Sequence, residues 1–382
     1  MAKNAKDTKG PALEELLRAY FLRGGFFAVR AVPFQHFGED LTDVDIWLYE
    51  RPTGSSRRRL IVDAKSKTKP KAIERLFWTK GLAELLDVDG AYIATTDARP
   101  LLREFGRKLG LLVLDGADLK RIQRSEKIIF PERLSEEQFI DKIKSIDKIR
   151  RNKNIEAVFH DIKASLLDQF GPATVNRSLE YFSFCAEQLT LVHLNSNSAE
   201  VFVRLSYLSA AIVALSLDFI GSEISFRTAD ERRSAFENVI RFGNLDEDSG
   251  LAQVRLATAL IEKYVPNGEA ISSSVTVGLK KDLSIIPADI IGEYIVNHMK
   301  LDDLFKMAKK MEFSSYLREI RSFDELDIDA RSFLAVLLDF SRVDRMKFAK
   351  SWTGVSAERD YDKSNHTDLN DGPLFQEKRE KK

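Results

Sequence analysis

Two short segments, Thr42-Asp43-Val44-Asp45-Ile46-Trp47-Leu48 and Leu60-Ile61-Val62-Asp63-Ala64-Lys65, constrain the fold more than any other part of the chain. Both are rich in β-branched and aromatic residues and read as strands. The cluster Arg51-Pro52-Thr53-Gly54-Ser55-Ser56 between them is a turn, so they form a hairpin. Strand side chains alternate in direction. Val44, Ile46 and Leu48 should share one face, and Asp43, Asp45, Trp47 and Tyr49 the other. On the returning strand Leu60, Val62 and Ala64 oppose Ile61, Asp63, Lys65 and Lys67. Charge on a strand that belongs to a core is costly to bury. Two acidic positions and a lysine converging on neighbouring strands therefore need a reason to be there.

The flanking sequence predicts a layered α/β domain. Pro11 opens a helix whose Leu13, Leu16, Leu17, Tyr20 and Phe21 form an apolar stripe, closed by Gly24-Gly25. Phe26 to Phe34 reads as the first strand, ahead of the hairpin. A helix follows over about 72–86, then a strand over Gly90–Thr96, a helix over about 100–109 and a strand over Leu111–Leu114. The last three form a βαβ unit, which predicts parallel neighbours with a right-handed crossover. The order α-β-β-β-α-β-α-β implies a central mixed sheet flanked by helices over 11–124.

After about Arg124 the periodicity becomes helical. Helices are expected at 136–149, 154–169, 173–192, 199–220, 229–241, 249–263, 287–299, 301–311, 313–320 and 329–341, with one strand at Ser273–Leu279. This predicts a mostly α-helical domain over 125–355, divisible near 265–287. The polar stretches 1–10 and 356–382 read as a disordered lead and tail.

Charge separates along the chain. Residues 1–125 hold 23 Lys/Arg against 17 Asp/Glu, a net of +6, which leaves −6 for the remainder of a chain that is neutral overall. A basic front half suits a phosphate-binding module. Cys185, the single cysteine, lies in an apolar stretch and reads as a small core residue. It allows no disulfide within the chain, which fits a reducing cytoplasm. The charged N-terminus is unlike a secretory signal. The longest apolar run, Leu205–Leu217, is too short for a bilayer and reads as a buried core helix, so no membrane is expected. The five histidines are scattered, no zinc-ligand spacing occurs, and no Gly-rich phosphate loop is present.

The hairpin suits phosphodiester hydrolysis. That reaction needs a metal to polarise the phosphoryl oxygen and lower the pKa of a water. Mg²⁺ (or Mn²⁺) prefers carboxylate and carbonyl oxygens. Asp45 and Asp63 would supply carboxylates, and the Ala64 backbone carbonyl lies between Asp63 and Lys65. Lys65 would orient the attacking water or stabilise charge on the phosphoryl oxygens. The plainer reading of the same residues is a cross-strand ion pair, Asp45–Lys65 or Asp43–Lys65, at a sheet edge.

The ordering PALEELLRAYFLRGG, FFAVRAV, TDVDIWL, LIVDAKSK, AIERLFWTKGLAELL, GAYIATT and PLLREFGRKLGLLVLDGADL resembles the PD-(D/E)xK nuclease superfamily, the restriction-endonuclease-like fold, over about 11–122. The last part is similar to restriction enzymes that cut modified DNA. The resemblance implies that Asp45 is the first motif acid, Asp63 the acid of the (D/E)xK motif and Lys65 its lysine. It also implies an auxiliary acid in the first helix, Glu14 or Glu15, with Asp43 a further candidate. Val44 stands where many relatives have proline, and Asp63 where many have Glu or Gln.

With such a site, Arg57, Arg58, Arg59, Lys67, Lys69 and Lys71 would hold phosphates around the scissile bond, helped by Arg75 and Lys80. Trp47 and Trp78 could stack on bases, although core packing is the commoner use of tryptophan. The expected substrate is DNA, in restriction, anti-phage defence or DNA repair. A ribonuclease, and an inactive adaptor that grips nucleic acid or protein, remain open. A homodimer would place two sites on opposite strands, and the acidic helical domain could bind a partner protein.

Overall fold

The computed structural model describes residues 9–36, 39–65, 71–125, 128–147 and 154–354. The expected disordered tail, nearly all of the expected lead, and Lys67 and Lys69 lie outside these residues.

The N-terminal region runs α1 (Lys9–Arg23), β1 (Phe27–His36), β2 (Glu39–Glu50), β3 (Arg58–Lys65), α2 (Ala72–Leu85), β4 (Gly90–Thr95), α3 (Pro100–Lys108), β5 (Leu111–Leu114) and α4 (Gly116–Gln123). The five strands form one sheet in sequence order. β1, β2 and β3 are antiparallel, whereas β3, β4 and β5 are parallel, so the sheet is mixed, as the βαβ reading requires. Asp115 caps α4 by accepting from the Ala117 and Asp118 amides, the role that the Asp-Gly turn gives it.

Each sheet face has its own cover. Leu13, Leu17 and Phe21 of α1 and Leu119 and Ile122 of α4 pack on Ile46, Leu48, Leu60, Val62 and Ala64. The opposite face, with Trp47, Tyr49 and Ile61, is covered by Leu76 of α2, Leu102 of α3 and the helical region.

That region comprises α5 (Glu136–Asp147), α6 (Ile155–Ala164), α7 (Pro172–Leu191), α8 (Asn197–Glu223), α9 (Ala229–Phe242), α10 (Glu247–Gly250), α11 (Ala252–Tyr264), α12 (Gly268–Ser284), α13 (Ala288–His298), α14 (Leu301–Ser315), α15 (Ile328–Phe340) and α16 (Arg345–Ser351). α8 is long and apolar enough to cross a membrane by length and composition alone, yet 94% of its most apolar stretch is buried inside the protein. The expected core helix over Leu205–Leu217 is therefore found. Cys185 is buried in α7, where desolvation pushes its thiol pKa up.

Two expected elements differ. Ser273–Leu279 is helical, inside α12, although its β-branched residues favour a strand. α12 is entered at Gly268, where a Cβ would meet the Ile261 carbonyl at 2.2 Å, so the turn from α11 requires glycine there. The expected helices 301–311 and 313–320 are one helix that ends at Ser315. Glu312 sits inside it, ion-paired with buried Arg133 at 2.6 Å. Beyond it the chain pairs with 132–134 instead, through Leu134 N–H to Tyr316 O at 2.7 Å and Arg318 N–H to Glu132 O at 2.8 Å.

Candidate functional site

The β2–β3 ladder stops one residue short of the acidic pair. Its last register pair is Ile46–Val62, and Asp45 and Asp63 come next on the two strands. There the Asp45 carboxylate replaces a backbone acceptor, with Oδ2 accepting from the Ala64 amide at 2.7 Å. A strand residue sends its N–H and C=O to the same side. The Ala64 carbonyl is therefore directed to the β2 side of its strand.

An irregularity faces the same point on the other neighbour of β2. Ala31 of β1 has φ of 47°, a left-handed conformation rare for a residue with a Cβ, and it lies between the register pairs Arg30–Ile46 and Val32–Val44. Strict alternation breaks at this level. Val32 and Val44 join the cluster of Val29, Trp47 and Tyr49, whereas Ile46 and Leu48 pack on α1. The expected common face of Val44, Ile46 and Leu48 is corrected accordingly. On β3 the alternation holds, with Ile61 on one face and Leu60, Val62 and Ala64 on the other.

The cleft is small, about 120 Å³, and is lined by Asp43, Asp45, Asp63, Lys65, Arg75 and Trp78 among others. Lys65 Nζ lies 3.3 Å from Asp45 Oδ2 and 3.8 Å from Asp63 Oδ1. Asp63 is buried, and Arg75, in the first turn of α2, holds it through Nε to Oδ2 at 2.9 Å and through Nη2 to Oδ1. Burial pushes the Asp45 pKa up to about 6; Lys65 and the Ala64 amide oppose this, and the charges of Asp63 and Glu14 add to it.

The remaining expected site residues divide by position. Glu14 lies near enough for its charge to act on Asp45, and it pairs with buried Arg30 at 2.8 Å. Glu15 pairs with Arg18 and Arg30, away from the cleft. Asp43 is exposed on the cleft wall. Lys71 is exposed and pairs with Glu74, and Lys80 pairs with Glu84. Trp78 is half exposed at the cleft, with Arg75 5.7 Å from its ring. Trp47 is fully buried among Phe27, Tyr49 and Phe170 and is closed to a base.

The three arginines of the turn are corrected. Arg57 is buried, with Nε 2.5 Å from Asp218 Oδ2 and Nη1 donating to the carbonyls of Thr53, Gly54 and Ser56. Tyr49 Oη donates to the same carboxylate at 2.8 Å. Arg58 pairs with Glu50, and Arg59 lies by Asp87 and Asp89. All three sit at the end of β3 remote from the acids, about 23 Å along a strand from Lys65, too far to flank one scissile phosphate. The sequence did carry a signal for Asp218. It is a carboxylate that closes the apolar run Leu205–Leu217 within α8, and such a group needs a buried cation.

Among the described residues, no group of three or more His, Cys, Asp or Glu side chains gathers as a metal cluster. The carboxylates at the cleft are Asp45 and Asp63, with Asp43 exposed on its wall. That set suits Mg²⁺ or Mn²⁺, which keep several waters, rather than zinc. Arg75 holds both oxygens of Asp63 and must yield one before a cation can use it. No protein-family model, curated protein or solved structure matches the chain in comparison.

Proposed function

We propose that the chain is a metal-dependent nuclease of the PD-(D/E)xK kind, acting on phosphodiester bonds in DNA. One observation carries the reading: Asp45 and Asp63 meet where two strands part, with Lys65 Nζ within 4 Å of both. A surface ion pair needs neither the parted ladder nor a carboxylate lodged on a strand amide. The combination of a buried acid, a second acid and a shared lysine at a cleft is typical of reaction chemistry.

In this reading Asp45, Asp63 and the Ala64 carbonyl would hold Mg²⁺ or Mn²⁺, which would supply polarisation of the phosphoryl oxygen and a more acidic water. Lys65 orients that water or stabilises charge on the phosphoryl oxygens. Glu14, through its charge, keeps the acidic side of the cleft negative and favours the cation. Arg75 leaves Asp63 for a phosphate oxygen, which it can grip with its planar fork. Exposed Trp78 offers a stacking face beside the scissile group. Restriction, anti-phage defence or DNA repair is the setting that the family resemblance supports.

One observation favours a binding module instead: Arg75 and Lys65 already neutralise both acids. Labelled duplex DNA, single-stranded DNA and RNA incubated with Mg²⁺ separate the readings. Metal-dependent cleavage of DNA, lost in EDTA, supports the nuclease. Retention of DNA on the protein without cleavage, equal in EDTA, supports the module, and cleavage of RNA alone makes it a ribonuclease.

A further inference from the structure

Asp45 is skipped by the register on both sides: it falls opposite Asp63 of β3 and opposite Ala31 of β1. Strand side chains stand roughly perpendicular to their sheet. The Asp45 carboxylate instead lies on the Ala64 amide, where a neighbouring strand would offer a backbone acceptor. Ala31, directly across, has the left-handed φ of 47°. Such a conformation in a residue with a Cβ persists only where its surroundings hold it. Contacts from the helical region surround it. The Arg30 carbonyl lies in the peptide plane that φ of Ala31 orients. That carbonyl accepts from Lys163 Nζ of α6 at 3.2 Å. Lys163 is fully buried, and Glu136 of α5 fixes its ammonium at 2.5 Å. Tyr316 Oη donates to the other oxygen of Glu136 at 2.8 Å. Glu137, next on α5, holds the Arg30 guanidinium at 3.0 Å. A buried ammonium is costly unless its contacts are specific, and here it spends one on a single strand carbonyl.

We propose that Lys163 is a positioning residue for the candidate site. By fixing the Arg30–Ala31 peptide plane it holds Ala31 left-handed, and the turned strand pair keeps Asp45 on the Ala64 amide. The cleft is then assembled only while α5 and α6 are docked on β1. The consequence for cation binding rests on the nuclease reading, whereas the geometry does not.

Amide proton resonances of the full chain test the geometry without metal. An amide that donates to a carboxylate at 2.7 Å resonates downfield, and Ala64 should do so in the wild type. Lys163→Met keeps the apolar stem and removes the donor. It also leaves Glu136 buried without its ammonium, so the double variant Lys163→Met/Glu136→Gln is measured beside it. Both should lose the downfield Ala64 signal. Ala31→Val should lose it too, because a β-branched residue fits a left-handed φ poorly, whereas Ala31→Gly should keep it. Arg57→Ala, altered at the far end of β3, should also keep it, which separates positioning from general loss of stability. Mn²⁺ binding should weaken at least about tenfold wherever the signal is lost. An Ala64 signal unchanged in the Lys163 variants and in Ala31→Val overturns the proposal. So does its loss in Arg57→Ala, or Mn²⁺ affinity unchanged where the signal is lost. A wild type that binds no Mn²⁺, with Ala64 responding as expected, supports the positioning of Asp45 and overturns the nuclease reading alone.

Discussion

Arg75 and Asp63 form a two-point pair, with Nε 2.9 Å from Oδ2 and Nη2 on Oδ1, so a guanidinium stands where the proposed reading needs a metal cation. A charge-assisted contact of this kind contributes about 1.5–3 kcal/mol. Removing it frees Asp63 for metal. Arg75→Ala should therefore bind Mn²⁺ at least about tenfold more tightly without nucleic acid, read by the paramagnetic resonance signal of free Mn²⁺. Unchanged or weaker binding would mean that Arg75 does not guard the site.

The raised pKa of Asp45, about 6, fixes a pH dependence. The folded protein holds this proton more tightly than the unfolded chain, so stability from the neutral form is complete at low pH and is lost as pH rises through about 6. At pH 7.5 the ionised, half-buried carboxylate costs stability. Asp45→Asn should therefore be more stable than wild type at pH 7.5, on the order of 1–3 kcal/mol, with the gap closing towards pH 4. Thermal denaturation across that range checks it. A variant less stable than wild type at pH 7.5 would contradict the stated cause.

Metal binding should couple to the same proton. Mg²⁺ added at pH 5.5 must displace the Asp45 proton, and at pH 8 no such proton remains. Calorimetry in two buffers of different ionisation enthalpy should find close to one proton released at the lower pH and almost none at the higher. Equal release at both would place the metal elsewhere.

Arg57 should behave as a structural residue. It shares Asp218 with Tyr49 in a buried cluster joining the hairpin to α8. Losing one partner of such a pair costs about 3–5 kcal/mol. Urea denaturation of Arg57→Ala should show that loss, whereas exposed Arg58→Ala should stay within about 0.5 kcal/mol of wild type. If Arg57→Ala instead kept its stability and weakened DNA binding, the phosphate-gripping role would stand.

What could be read from the sequence follows what is local. The strand order, the βαβ unit and the positions of Asp45, Asp63 and Lys65 were legible because periods of 2 and 3.6 and short turns determine them. The faces of Val32 and Val44 were not, because they depend on one left-handed residue, Ala31, that no pattern marks. Nor were the partners of Arg57 and Arg75. In sequence Arg57 is one of three adjacent arginines, and only the fold brings Asp218 against it, 161 residues away. Ser273–Leu279 misled for the opposite reason. Its local preference for strand is overridden, and the segment lies inside α12.

The central claim is that Asp63 and Lys65 act together on a phosphodiester. Supercoiled plasmid incubated with Mg²⁺ and wild type, Asp63→Ala or Lys65→Ala protein, with EDTA controls, tests it most directly. Nicking or linearisation by wild type that disappears in both variants and in EDTA is the predicted result. Cleavage that persists in both variants, or intact plasmid in every lane from a protein that still shifts DNA on a gel, would contradict it.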